Sequence, residues 1–235
     1  MKKAVILLTL AAVAPTGVQT ATAESSSNFK VYVATEGGWS DTKLKAGGST
    51  NYGGFYPTYL PFDGHDSDGV NFGTIKIGAE VNDNLRVDLG YAKYGDSSFV
   101  TSTADSFPYL IYTDLETEAV FLTVNYDYLQ FEKTSFFIGG GIGVAMLDTD
   151  LEERNLANSL DLYGSDSTTN FAWKIETGVE YLLTDNFSLY GGLRFVDLGK
   201  VDIALKSAGM GGADAGSFTP RLNSKELFMG LRYQF

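Results

Sequence analysis

His65 is the sole histidine of the chain, and it sits in the acidic stretch Asp63-Gly64-His65-Asp66-Ser67-Asp68-Gly69. A histidine beside serine and aspartate can serve as general base for a hydroxyl nucleophile if the three are held in fixed geometry. In this turn-rich segment Ser67 and Asp66 would have none, so no catalytic residue is assigned and no enzyme is expected. The stretch does not fit a calcium loop either, because Thr74 stands at the twelfth position, where a closing acid is needed. Asp148-Thr149-Asp150-Leu151-Glu152-Glu153 is a second acidic run. Both are read as solvated loop, with weak cation binding left open at the first, and no metal residue is assigned. Gly139-Gly140-Gly141-Ile142-Gly143 has the composition of a phosphate loop but lacks its strand-to-helix setting, so no cofactor is expected. Its inward glycines are expected to make room for large neighbours such as Phe121 or Tyr190.

A second set of residues points to structure rather than reaction. Lys30, Lys76, Arg86, Lys174, Arg194 and Arg232 share the polar phase of their segments with Glu36, Glu80, Asp88, Glu176, Glu180 and Glu226. The signs balance although the chain carries a net charge of −12. Exposed charges have no reason to balance, whereas charges enclosed in a narrow interior must be paired. These residues are therefore read as a charge network inside a lumen.

Period-two alternation supplies the elements that would hold them. Eight segments show it: Phe29 to Trp39, Phe72 to Val81, Leu85 to Tyr94, Val120 to Tyr128, Phe136 to Met146, Phe171 to Tyr181, Phe187 to Phe195 and Glu226 to Phe235. In the second, Ile75, Ile77, Ala79 and Val81 alternate with Thr74, Lys76, Gly78 and Glu80. Tight turns at Asn82-Asp83-Asn84 and Thr184-Asp185-Asn186, and a longer one from Leu129 to Ser135, alternate with long polar segments at about 41–69, 95–115, 149–169 and 199–225. That order predicts an all-β fold, an eight-stranded antiparallel up-and-down transmembrane barrel with four long extracellular loops. Pro57, Pro61, Pro108 and Pro220 all fall in the expected loops. Aromatics at both strand ends predict two interfacial girdles, Trp39, Phe72, Tyr91, Tyr94, Phe171, Trp173 and Phe195 lying toward the loops. The loop aromatics Tyr52, Phe55, Tyr56, Tyr59 and Phe62, with Leu60 among them, would form an adhesive surface or cap the mouth.

Lys2 and Lys3, the apolar run Ala4 to Ala14, and Ala21-Thr22-Ala23 predict an export signal over residues 1–23 and a mature barrel over 24–235. About eleven apolar residues are too few to span a ~30 Å hydrocarbon core as a helix. The acidic balance excludes nucleic-acid binding. Absence of cysteine excludes a disulfide framework, thiolate metal sites and an N-terminal lipidated cysteine.

The closing run Leu227-Phe228-Met229-Gly230-Leu231-Arg232-Tyr233-Gln234-Phe235 resembles the last strand of bacterial outer-membrane proteins. With the export signal, the eight strands and the long loops, the chain resembles the small OmpA-like and opacity-like barrels over about residues 28–235. The resemblance implies a monomer in the cell outer membrane, in contact with lipid and lipopolysaccharide. It also implies that Gly230, Tyr233 and Phe235 form the signal read by the barrel-assembly machinery. Members serve as adhesins, envelope stabilisers or narrow channels. A structural or surface-interaction role with an unknown surface ligand or host receptor is expected first, and a narrow solute channel second. No peptidoglycan-binding domain is seen after Phe235, so wall tethering is not expected.

Overall fold

The computed structural model describes residues 30–50, 60–103, 110–154 and 160–235. The expected export signal, Phe29, Tyr52, Phe55, Tyr56, Tyr59, Pro57 and Pro108 lie outside the described residues. In chain order the strands are β1 (Lys30–Lys45), β2 (Gly48–Thr50), β3 (Leu60–Asp63), β4 (His65–Asn82), β5 (Leu85–Tyr94), β6 (Ser97–Thr103) and β7 (Leu110–Gln130). They continue as β8 (Thr134–Arg154), β9 (Leu160–Leu182), β10 (Phe187–Lys200), β11 (Ile203–Ser207), β12 (Ala213–Phe218) and β13 (Arg221–Gln234).

Eight of these close a ring through antiparallel ladders, in the order β1-β4-β5-β7-β8-β9-β10-β13 and back to β1. Closure leaves no unpaired edge, which is the condition for a sheet to stand in hydrocarbon. The tight turns gather at one end with the first and last described strand residues, where the Phe235 N–H donates to the Val31 carbonyl at 3.0 Å.

A second ring stands on the first, in the order β2-β3-β6-β7-β8-β9-β11-β12 and back to β2. The order matches because each short strand continues a long one: β1 into β2, β3 into β4, β5 into β6, β10 into β11, β12 into β13. β7, β8 and β9 run through both rings for 21, 21 and 23 residues. The wall is one tall barrel, continuous on that side and interrupted on the other near residues 46–47, 64, 95–96, 201–202 and 219–220. Gly48 and Gly64 sit at two of these breaks with φ of 89° and 118°, a region that side chains avoid.

This corrects the four long loops: in their described parts, most of 41–69, 95–115, 149–169 and 199–225 is strand. The physical reason is a phase inversion. In the lower ring Ile75, Ile77, Leu122, Ile138, Ile175, Leu193 and Leu227 point outward and stay exposed. Above that band the apolar residues turn inward: Leu44 and Leu222 at the tops of β1 and β13, and Phe99, Ile111, Leu115, Leu162, Ile203, Leu205 and Phe218 in the upper ring, are buried. Lys43, Asp114, Glu116, Asp148, Asp150 and Glu152 take the outward positions. Such a stretch averages as polar and reads as loop, yet it alternates like the outer wall of a soluble barrel. Pro61 is likewise corrected: it lies in β3 of the upper ring, not in a loop.

A membrane strand needs ~9–11 residues, so β7 and β8 reach about twice that length. On β8 the outward residues are apolar through Met146 and acidic from Asp148 on, and the lipid band ends there. Tyr126, Tyr128, Tyr181, Phe187 and Phe235 rim its turn end, and Trp39, Tyr91, Phe171 and Trp173 rim the other. Phe72 and Tyr94, expected in that girdle, face the lumen instead, where they are buried. Each shares the phase of its strand's inward residues, and phase rather than nearness to the strand end decides the side.

Candidate functional site

Alternation places one polar side chain every second residue on the inside of the lower ring, and the strand register then stacks them in layers. At the turn end, Arg86 on β5 bonds Asp127 on neighbouring β7 at 2.7 Å and Glu180 on β9. Arg232 on β13 bonds Glu180 at 2.6 Å and Glu80 on β4 at 3.2 Å. Asp88 accepts hydrogen bonds from the Tyr32 hydroxyl and the Asn125 amide, each at 3.1 Å. The Arg86 guanidinium also lies 5.3 Å from the Phe137 ring centre.

The next layer turns on Arg194. Its Nη2 donates to Glu36 at 2.8 Å, its Nε to Glu176 at 2.7 Å and its Nη1 to Glu226 at 3.2 Å. Lys174 pairs with Glu176 at 3.0 Å. Lys76 pairs with Glu36 and reaches Glu176 at 3.9 Å. Because β4 and β9 are opposite in the ring, that last contact spans the lumen. The layer holds three cations and three carboxylates, all buried. Tyr94 adds a hydroxyl donor to Glu226 at 2.7 Å, and the Phe228 ring lies 4.4 Å from the Arg194 guanidinium.

Above it the Ser40 hydroxyl bonds those of Ser224 and Thr42. Then comes the apolar core of the upper ring, where Phe62 meets Phe218 edge-on at 5.2 Å. Two lumen cavities measure about 10 Å³ beside Lys76, Phe121 and Lys174 and about 20 Å³ beside Tyr32, Asn125 and Tyr190, on the order of one water each.

The structure thus brings together Glu36, Lys76, Lys174, Glu176, Arg194 and Glu226 in one layer and Arg86, Glu180, Arg232 and Glu80 in another, with Asp88 hydrogen-bonded beside them. Lys30 stands apart: it faces Glu80 in the β1–β4 ladder, but as the first strand residue its side chain is exposed. Asp127 was missed, although it shares the phase of Asn125 and could have been found by it. Tyr32 and Tyr190 also fill the lumen. A Cβ at Gly143 would come within 2.9 Å of the Phe121 ring, and one at Gly230 within 2.7 Å of the Tyr190 ring, so those rings occupy the space the glycines leave.

His65 is exposed at the start of β4, opposite Lys45. Its neighbours are engaged otherwise: Asp66 accepts the Val100 N–H at 2.7 Å and Asp68 the Ser98 N–H at 2.9 Å. No group of three or more potential metal ligands occurs among the described residues.

An outward apolar band, a closed ring and a charged, filled lumen describe a membrane barrel, and sequence comparison decides its kind. Residues 6–235 match the family described as outer membrane protein beta-barrel domain. The chain belongs to that family. It is an outer-membrane protein. Two similar solved structures share the fold, of which the outer membrane protein OprG of Pseudomonas aeruginosa has 13% identity, TM-score 0.56, and coverage of 87% of this chain and 95% of that one. The outer membrane protease OmpT of Escherichia coli has 10% identity, TM-score 0.55, and coverage of 91% and 99%. Neisserial surface protein A has 18% identity, TM-score 0.48, and coverage of 87% and 97%. No curated protein matches the chain.

Proposed function

We propose that this outer-membrane barrel is plugged, and that it works through the surface presented by its far end, in a structural or adhesin-like role rather than as a pore or an enzyme. One observation carries the reading: the lumen is blocked twice, by the Arg194 ion-pair layer and by the apolar core above it. Eight strands leave an interior only wide enough for side chains, and here both layers fill it. The far end is taken as the external one because small barrels keep their short turns on the periplasmic side. Phe62, from the aromatic segment expected to cap or adhere, supports capping, since it packs inside. Gly230, Tyr233 and Phe235 are read as the signal to the assembly machinery.

Planar-bilayer recordings of the refolded chain test the plug. No steady conductance is expected; sustained open-channel current would overturn the reading in favour of a narrow solute channel. Adherence of cells with and without the protein, and with the turn Ala208 to Gly212 replaced, tests the surface role. Met210 is exposed in that turn.

A further inference from the structure

Five of the chain's 17 lysines and arginines stand on one outward face of the upper wall, across the adjacent strands β10, β13 and β1. Lys45 is paired in register with Arg221, and Arg221 with Lys200, which makes an unbroken row of three cations. Lys43 and Lys225 lie below that row, and all five are exposed. Like charges directly opposite on neighbouring strands, about 5 Å apart, repel one another. The acids on this face relieve only part of that. Asp197 bonds Arg221 at 2.5 Å, Asp41 faces Lys225, and Asp202 lies just past β10.

The chain has 29 acidic residues to draw on. On the outward face at this height it places Asp114, Glu116, Asp148, Asp150 and Glu152 on β7 and β8, diametrically opposite in the ring. A concentrated cationic face on an acidic protein calls for an anionic occupant.

Position selects which one. Lys225 lies two residues past the lipid-facing Leu227, and Lys43 four past Trp39. At ~3.3 Å per residue and a tilt of ~40°, Lys225 and Lys43 stand roughly 5–10 Å above the apolar band, at headgroup height, and the row of three roughly 13–15 Å above it, at the outer edge of that layer. Directly beneath them Trp39, Leu193 and Leu227 are exposed and Phe195 is half-buried, an apolar seat continuous with the cations.

We infer that the β10–β13–β1 face binds the phosphates of an outer-membrane lipid headgroup, with the lipid's acyl chains lying on the apolar wall below. This goes beyond the plugged-barrel reading and does not depend on it, since it concerns the outer wall alone.

The test uses the full chain refolded in detergent micelles and native mass spectrometry of bound lipid. The probes are diphosphorylated lipid A, the same lipid without phosphates, and inorganic phosphate. Wild type is expected to retain the phosphorylated lipid preferentially. Lys45→Gln/Arg221→Gln/Lys200→Gln is expected to weaken that retention on the order of a hundredfold, as befits three cations facing an anionic headgroup. A control that removes equal charge elsewhere, Lys93→Gln/Lys133→Gln/Arg154→Gln, is expected to retain it. Heat-modifiable gel migration checks that both variants fold.

Equal retention of the two lipids by wild type, or equal loss in the two triple variants, would overturn the proposal. So would displacement of the lipid by inorganic phosphate at matching concentration, which would mark a free-phosphate site. Self-association abolished by Asp148→Asn/Asp150→Asn would overturn it in favour of a second copy docking its acidic face.

Discussion

Arg194 touches carboxylates from three strands, and its removal would leave Glu226 without a cation in a buried layer and Glu36 and Glu176 with Lys76 and Lys174 alone. Arg194→Ala is expected to cost about 3–5 kcal/mol, the usual penalty for orphaning buried charge. A lowered urea midpoint of the refolded barrel checks it. Arg194→Lys keeps the charge but loses the planar fork, and should fall between. The exposed pair of Lys93 and Glu118 gives the contrast, and Lys93→Ala should leave the midpoint unmoved. Strand phase already placed all six residues of the Arg194 layer on the inward side. Phase could not say who pairs with whom. Glu176 and Glu226 are ladder partners of Arg194, but Glu36 comes from a strand two places away. That contact exists only once the ring has closed and curved.

Two elements carry predictions of their own. Where β4 passes β6, carboxylates of Asp66 and Asp68 hold the Val100 and Ser98 amides. Asp66→Ala/Asp68→Ala should speed hydrogen exchange at Val100 and Ser98 while the lower-ring amides stay protected. Unchanged exchange would show that the seam has other support. β13 closes the ring, and Phe235 is exposed beyond it, with the Tyr233 and Phe187 rings 4.8 Å apart and tilted at 52°. If Phe235 acts as an assembly signal, Phe235→Ala should lower barrel yield in cells several-fold yet refold normally in detergent. Equal loss in both settings would assign Phe235 to stability instead. The lower strands were legible because outward aliphatics alternate with inward polar residues over eight or more positions. The upper strands were not, because their alternation is inverted and broken by Gly48, Gly64 and Pro220.

At the scale of the whole molecule, two rings of the same strand order enclose two different interiors, one ionic and one apolar. The lower ladders close without the upper ring, so damage above should stay above. Phe218→Ala, which empties the edge-on contact with Phe62, is expected to cost about 3–5 kcal/mol within the upper ring. Protease cleavage between β11 and β12 should appear, while heat-modifiable migration of the lower barrel persists. Loss of both together would show that the tall barrel unfolds as one unit. Sequence by itself determined the strand period, the inward charges, the tight turns and the closing strand, since these depend only on which residues alternate with which. Only the tertiary structure decided that the polar segments rise as a second ring, that Phe72 and Tyr94 face inward, and that Lys30 stands outside the network. The physical reason is that an average over a segment records its composition, whereas burial is set by which side of a closed wall each residue occupies.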